Sequence, residues 1–167
     1  MSTKKLIASA QGSDAHSNVF FRDDMSGNIR VYISQEEGEV EAAEAKNYSQ
    51  DFIVVDGTRI KVTSPDMGAL AWQSQNDGVS HTRLYYADAN NTLQELCLDS
   101  GNANWFRGSL GSTVTVQCMQ DTPIDVHINY AYNQLKVYSY GPDNTTTPTV
   151  TWTTLNLTNW QTKLISR

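Results

Sequence analysis

Two arginine–glutamate pairs stand out in the chain, Arg30 with Glu41 and Arg83 with Glu95, separated by 11 and 12 residues. If each pair lies on the two arms of a hairpin, that interval sets the carboxylate beside the guanidinium on the neighbouring strand. A cross-strand ion pair is one reading, worth about 0.2–1 kcal/mol. The other is a clamp for hydroxyl groups. Guanidinium offers several donors in a rigid fork and carboxylate only accepts, so together they can hold adjacent hydroxyls of a monosaccharide. The aromatic residues Tyr48, Trp105 and Trp160 would then supply an apolar platform for the C–H face of the sugar. The histidines His16, His81 and His127 share no metal-ligand spacing. Neither a Gly-rich phosphate loop nor a Gly-x-Ser-x-Gly nucleophile motif is present. Catalysis, a cofactor and a bound metal are therefore not expected.

The elements that must carry these residues follow from an internal repeat. Ile29-Arg30-Val31-Tyr32, Thr82-Arg83-Leu84-Tyr85 and Leu135-Lys136-Val137-Tyr138 place a basic residue at positions 30, 83 and 136, at intervals of 53 residues. A second landmark follows each: Asn47-Tyr48, Asn104-Trp105 and Asn159-Trp160. Alternating apolar and polar residues in these segments read as strands. Asn18 to Arg22, Ala69 to Gln73 and Ile124 to Tyr130 are expected as the strands before the basic landmark. Glu39 to Ala43, Thr92 to Leu98 and Thr149 to Thr153 are expected as the strands after it, although Gln35 to Lys46 is helical by propensity. Four short strands in about 53 residues mark a propeller blade. The expected fold is all-β: a β-propeller unit of three blades, covering roughly residues 7–59, 60–112 and 113–167. Three blades do not close a ring, which typically takes about four to eight. A homodimer forming one six-bladed ring is expected.

Composition narrows the partners. The 167 residues suit one domain. Lys and Arg number 12 against 18 Asp and Glu, a net charge of −6, which argues against nucleic acid as the partner. Asn, Gln, Ser and Thr make up 55 residues, a polar but weakly charged surface suited to neutral hydrogen-bonding ligands. No run approaches the length of a membrane span, so no membrane insertion is expected. The start lacks a signal-peptide apolar stretch, and the expected location is cytoplasmic, with release by a leaderless route as a variant. Cys97 and Cys118 have no ligand spacing and read as buried free thiols, with one disulfide as the alternative.

The segments Arg83-Leu84-Tyr85-Tyr86, Leu93-Gln94-Glu95-Leu96-Cys97-Leu98-Asp99 and Asn104-Trp105-Phe106-Arg107-Gly108 together resemble a blade of the fungal and bacterial fucose-specific lectins. Blades of that family carry Ile-Arg-Val-Tyr, Glu-x-Cys-Trp-Asp-Gly and Gly-Trp-Tyr-x-Gly in this order, and Ile29-Arg30-Val31-Tyr32 matches the first outright. The resemblance implies a six-bladed propeller, sometimes assembled from short chains, with fucose bound between neighbouring blades. It implies clamps at Arg30 with Glu41 and Arg83 with Glu95, and stacking residues at Trp105, Trp160 and Tyr48. Fucosylated glycans would be the partners. Leu98 replaces the family's strand Trp. Lys136 replaces Arg in the third repeat, where no Glu stands near Trp152, so at most two clamps per chain are expected. These departures also support a second expectation, a propeller scaffold for protein–protein interaction that has lost sugar binding.

Overall fold

A computed structural model describes residues 6–11, 16–35, 48–75 and 77–165. Among them the regular structure is β, apart from one 3-10 turn at Tyr130–Tyr132. The first sheet runs β1 (Ile7–Gln11), β2 (Ser17–Arg22), β3 (Ile29–Ser34) and β4 (Tyr48–Phe52). A small hairpin follows, β5 (Val54–Val55) and β6 (Thr58–Arg59). Its two-residue turn is Asp56-Gly57, with φ of 50° and 74°, the left-handed conformation that an Asp-Gly turn accepts. The second sheet is β7 (Met67–Gln73), β8 (Ser80–Ala87), β9 (Leu93–Asp99) and β10 (Phe106–Arg107). The third is β11 (Asp125–Asn129), β12 (Gln134–Gly141), β13 (Asn144–Thr154) and β14 (Gln161–Leu164). Each is an antiparallel four-stranded meander, which is the propeller blade expected from the repeat.

The blades stack because alternation gives each sheet two faces. Residues i and i+2 point the same way. In blade 2, Leu84, Tyr86 and Leu96 pack towards blade 1, in one core with Phe20, Ile29 and Val31. On its other face Tyr85 and Leu93 pack towards blade 3, in a second core with Leu135 and Val137. The first strands β1, β7 and β11 neighbour one another, as the inner strands of a propeller do. An aromatic joint recurs at both interfaces. The rings of Phe20 and Trp105 meet edge to face at 5.6 Å, and those of Tyr85 and Trp160 at 6.1 Å.

The structure corrects the repeat register in blade 1. Arg83 and Lys136 lie on the second strands of their blades, β8 and β12, but Arg30 lies on the third, β3. The strand Asn18 to Arg22, expected before the landmark, is itself the second strand. Ile29–Ser34 takes the place expected for Glu39 to Ala43, a segment outside the described residues. The equal intervals of 53 residues therefore join positions that are not equivalent between blade 1 and the others. Sheet register gives the true equivalence. Tyr85 pairs with Glu95 and Arg83 with Cys97, as Phe20 pairs with Val31 and Asn18 with Ile33. The bridges Asn28–Lys61 and Thr92–Gln117 repeat the same alignment. The second landmark holds, because Tyr48, Trp105 and Trp160 stand at or just before the start of the fourth strand in each blade.

Phe20 is fully buried in the joint between blades 1 and 2. Phe20→Ala should cost about 3–5 kcal/mol in chemical denaturation, the range for deleting a core aromatic. A loss below about 1 kcal/mol, the scale of a surface change, would show that this joint does not hold the blades together.

Candidate functional site

A cavity of about 650 Å³ opens between blades 2 and 3, lined by Arg83, Glu95, Asp99 and His81 from one side and by Trp160 and Thr153 from the other. It lies within the size range of small-ligand sites. Arg83 and Glu95 reach it because they point from β8 and β9 to the face that meets blade 3. The Arg83 Nε stands 4.0 Å from Glu95 Oε1.

Each charged group is held by partners behind it. Arg83 Nη1 donates to Asp99 Oδ1 at 2.6 Å and to the Thr82 carbonyl at 3.0 Å. His81 Nδ1 is 2.7 Å from the same Asp99 oxygen. A contact that short to a carboxylate places the proton on Nδ1. The approach of Arg83 Nη2 to that nitrogen at 3.3 Å is then packing, and Nη2 is left with a donor to spend on a ligand. Trp72, His81 and Asp99 are opposite one another across three strands, and the Trp72 ring lies 5.1 Å from the Arg83 guanidinium. Burial pushes the Asp99 carboxyl up, but the bonds from Arg83 and His81 bring it below its ordinary value, so it stays ionised.

Glu95 is buried, with 6% of its surface exposed. Tyr85 donates its hydroxyl to Oε1 at 2.9 Å and the Leu110 amide donates to Oε2 at 3.3 Å. Burial first, and then the Glu95 charge, raise the Tyr85 phenol well above its ordinary value, so it remains a donor. Burial likewise pushes the Glu95 carboxyl up, opposed by the Tyr85 hydrogen bond and the Arg83 charge. Gly108 closes over this carboxylate: a Cβ there would collide with the Glu95 side chain, so a larger residue would have to displace the carboxylate. Each carboxylate oxygen has a second lone pair for a ligand hydroxyl. Trp160 is buried, donates Nε1–H to Ser109 Oγ at 2.9 Å, and lines the cavity with its ring.

Arg83, Glu95 and Trp160 are therefore brought together. Arg30 is not part of such a group. Its Nε is 3.4 Å from Asp23 Oδ1 and its guanidinium lies 4.1 Å over Phe52, on the face of blade 1 turned away from blade 2. Glu41 is outside the described residues. Trp105 packs on Phe20 across the blade 1–2 joint, where Asn18 and Val31 stand in place of the Arg and Glu of blade 2. Tyr48 meets Tyr32 at 6.4 Å on the same outward face as Arg30. Lys136 and Val150 hold the clamp positions of blade 3. Asp99, His81, Trp72, Tyr85 and Gly108 complete the site, and only the cross-strand register reveals them as its members. Among the described residues no group of three or more His, Cys, Asp or Glu could hold a metal, and both thiols are buried and unpaired.

Radially stacked four-stranded blades with a charged, aromatic-lined cavity between two of them define a β-propeller with an interblade cavity. The family model for the fungal fucose-specific lectins matches residues 9–163, and the chain belongs to that family. Among solved structures, a fucose lectin from Kordia zhangzhouensis in complex with methyl-fucoside is similar at a TM-score of 0.65 and 14% identity, covering 97% of this chain and 100% of that one. A triple arginine-to-alanine mutant of AofleA from Arthrobotrys oligospora gives 0.70 and 20%, over 95% of this chain and 41% of its own. The fucose-specific lectin from Aleuria aurantia gives 0.59 and 14%, over 95% and 44%. A structure of that Aleuria lectin is described as a six-bladed β-propeller. This chain thus spans the whole of the Kordia chain and less than half of the other two. Comparison with curated proteins returned no match.

The raised Glu95 pKa has a thermodynamic sign. The folded state holds the Glu95 proton more tightly than the unfolded state, so its ionisation removes stability as pH rises from the ordinary carboxylate range through the raised value. Glu95→Gln lacks this loss. The melting temperature of the variant relative to the parent should rise between about pH 4 and about pH 7. A constant difference across that interval would contradict the burial of this charge.

Proposed function

We propose that the protein is a lectin that binds L-fucose at glycan termini in the cavity between blades 2 and 3, without a catalytic step. The observation that carries this reading is the convergence of Arg83, Glu95 and Trp160 on one cavity. The Arg83 fork donates to ring hydroxyls, the Glu95 carboxylate accepts from one of them, and the indole of Trp160 borders the apolar edge of the sugar. Asp99 and His81 are positioning residues, which keep the guanidinium turned to the cavity. Among the described interfaces an Arg–Glu pair lines a cavity of this kind at blade 2, within the expected limit of two per chain. Substitution of the Arg and Glu positions at the other blades favours a second reading, a propeller scaffold with no sugar ligand.

A glycan array with isothermal titration separates the two. Binding to fucosylated glycans is expected, with Arg83→Ala and Glu95→Ala each weakening it at least tenfold (about 1.4 kcal/mol). Arg83→Lys should fail similarly, since Lys lacks the planar fork. Arg30→Ala should bind as the parent does. Loss of binding with Arg30→Ala, or no binding to any glycan, would overturn the assignment.

The same proposal includes closure by a second copy. Blade 1 presents Val19, Phe21, Tyr32 and Tyr48 on its outward face, with the rings of Phe21 and Tyr32 stacked at 5.2 Å. Blade 3 presents Tyr138, Val150 and Trp152 on the face equivalent to the one that blade 2 buries. Two copies joined blade 1 to blade 3 would cover both faces and make six blades. Light scattering at micromolar concentration should give twice the mass of 18.6 kDa. A monomer at that concentration would refute the closure.

A further inference from the structure

Arg30 is not part of the clamp, and the outward face of blade 1 gives it a different setting. Its guanidinium lies 4.1 Å over the Phe52 ring, and that of Arg59 lies 4.0 Å over the same ring. Register accounts for the convergence. Phe52 pairs directly with Arg30 across β3 and β4. The β5–β6 hairpin that follows pairs Val54 with Arg59, which brings Arg59 back beside Phe52. The two like charges therefore stand no further apart than twice the stacking distance. Each stack contributes about 0.5–1 kcal/mol at an exposed site, and the mutual repulsion opposes it.

One carboxylate answers the two guanidinium groups. Asp23 Oδ1 is 3.4 Å from Arg30 Nε, an ion-pair contact, and that Nε is buried without a hydrogen bond. The other Asp23 oxygen accepts from the amide and the hydroxyl of Ser26. Arg59 is exposed, and among the described residues no carboxylate pairs with it, Asp56 in the preceding turn included. Stacking occupies the face of a guanidinium and leaves the N–H groups along its edge. That edge is the fork that fits an oxyanion.

The arrangement belongs to blade 1 and is not a feature of the repeat. Register puts Gln94 and Thr149 at the place of Arg30 in blades 2 and 3. Thr115 takes the place of Arg59 in blade 2, because the Leu93 amide donates to the Val116 carbonyl as the Ile29 amide does to that of Ile60. Thr115 is exposed and Gln94 only half-buried, although blade 1 packs on that face of blade 2. A second copy packed on blade 1 in the same way would leave the two arginines open at the rim.

We infer that Arg30 and Arg59, stacked on Phe52, form a binding site for an oxyanion group of a ligand, at the outer rim of blade 1. The group is a sulfate ester, a phosphate ester or a carboxylate. This site is separate from the clamp cavity and does not rest on sugar binding at Arg83.

The test follows the arginine Nε–H and backbone amide NMR signals of the full chain at neutral pH. The probes are the sodium salts of methyl sulfate, methyl phosphate and acetate, with sodium chloride at matched ionic strength as the reference. At least one probe should move the Nε–H signals of Arg30 and Arg59 and the Phe52 amide, saturably and beyond the chloride shift. Arg59→Gln, a change at an exposed position, should weaken that response tenfold or more. Arg30→Gln should do the same, so the test does not depend on one variant. A response to acetate alone would support the site and assign it to carboxylates, and a response to the esters alone would assign it to those. No movement beyond the chloride shift, or movement unchanged in both variants, would overturn the inference. Failure of the clamp reading appears separately, as fucoside affinity that Arg83→Ala leaves unchanged.

Discussion

Everything in this molecule depends on a sheet that is apolar on both faces. A strand residue faces one neighbour and the next residue faces the other, so a blade is stable only between two others. Blade 2 meets that condition fully: Leu84 and Tyr86 are buried against blade 1, Tyr85 and Leu93 against blade 3. Blades 1 and 3 meet it on one side each. The aromatic joints Phe20–Trp105 and Tyr85–Trp160 fix the distance between blades. They also set the width of the cavities beside them.

The proposed ligand site is the same packing face continued towards its rim. Tyr85 is in the core, and Arg83, two residues earlier on the same face, is at the cavity. The core residue supports the site directly, since the Tyr85 hydroxyl supplies one of the bonds that hold the buried Glu95 carboxylate. Burial makes that carboxylate costly when ionised, and the cost is met by Tyr85, the Leu110 amide and Arg83 together. Such a site can be lost by changing two residues without disturbing the fold. Asn18 with Val31 and Lys136 with Val150 are the outcomes at the other two blades.

This explains what the sequence shows and what it conceals. The three-blade architecture is legible, because period-two alternation and the aromatic landmark at Tyr48, Trp105 and Trp160 recur. The convergence of Arg83, Glu95 and Trp160 on one cavity is legible for the same reason. Arg30 misleads because Ile29-Arg30-Val31-Tyr32 is a sound strand pattern wherever it is placed. Alternation alone does not distinguish the second strand of a blade from the third, and only the pairing of Phe20 with Val31 does so. Trp72, His81 and Asp99 are far apart in sequence and adjacent only across β7, β8 and β9. No spacing rule within one strand joins them. The Asp56-Gly57 turn was in principle readable, as a dipeptide with a defined hairpin geometry.

The occurrence of one Arg–Glu pair of this kind among the described residues also bears on assembly. In the proposed two-chain ring, blade 3 of one copy would meet blade 1 of the other. Position by position, that new interface places Lys136, Val150 and Trp152 opposite the face of Tyr32 and Tyr48. Relative to blade 2, a carboxylate has become Val and a thiol has become Trp. Both changes add apolar surface at the one interface that two separate chains must form, and interfaces of permanent oligomers are more apolar than others. A buried charge pair there would have to be desolvated at every association, which sets its Coulomb gain against a large penalty. Loss of the clamp at blade 3 is therefore what an interchain joint favours, and the remaining clamp lies at an interface formed within one chain. Two such clamps on one closed ring would still engage a glycan-bearing surface together, where a high effective concentration makes up for weak single-site binding.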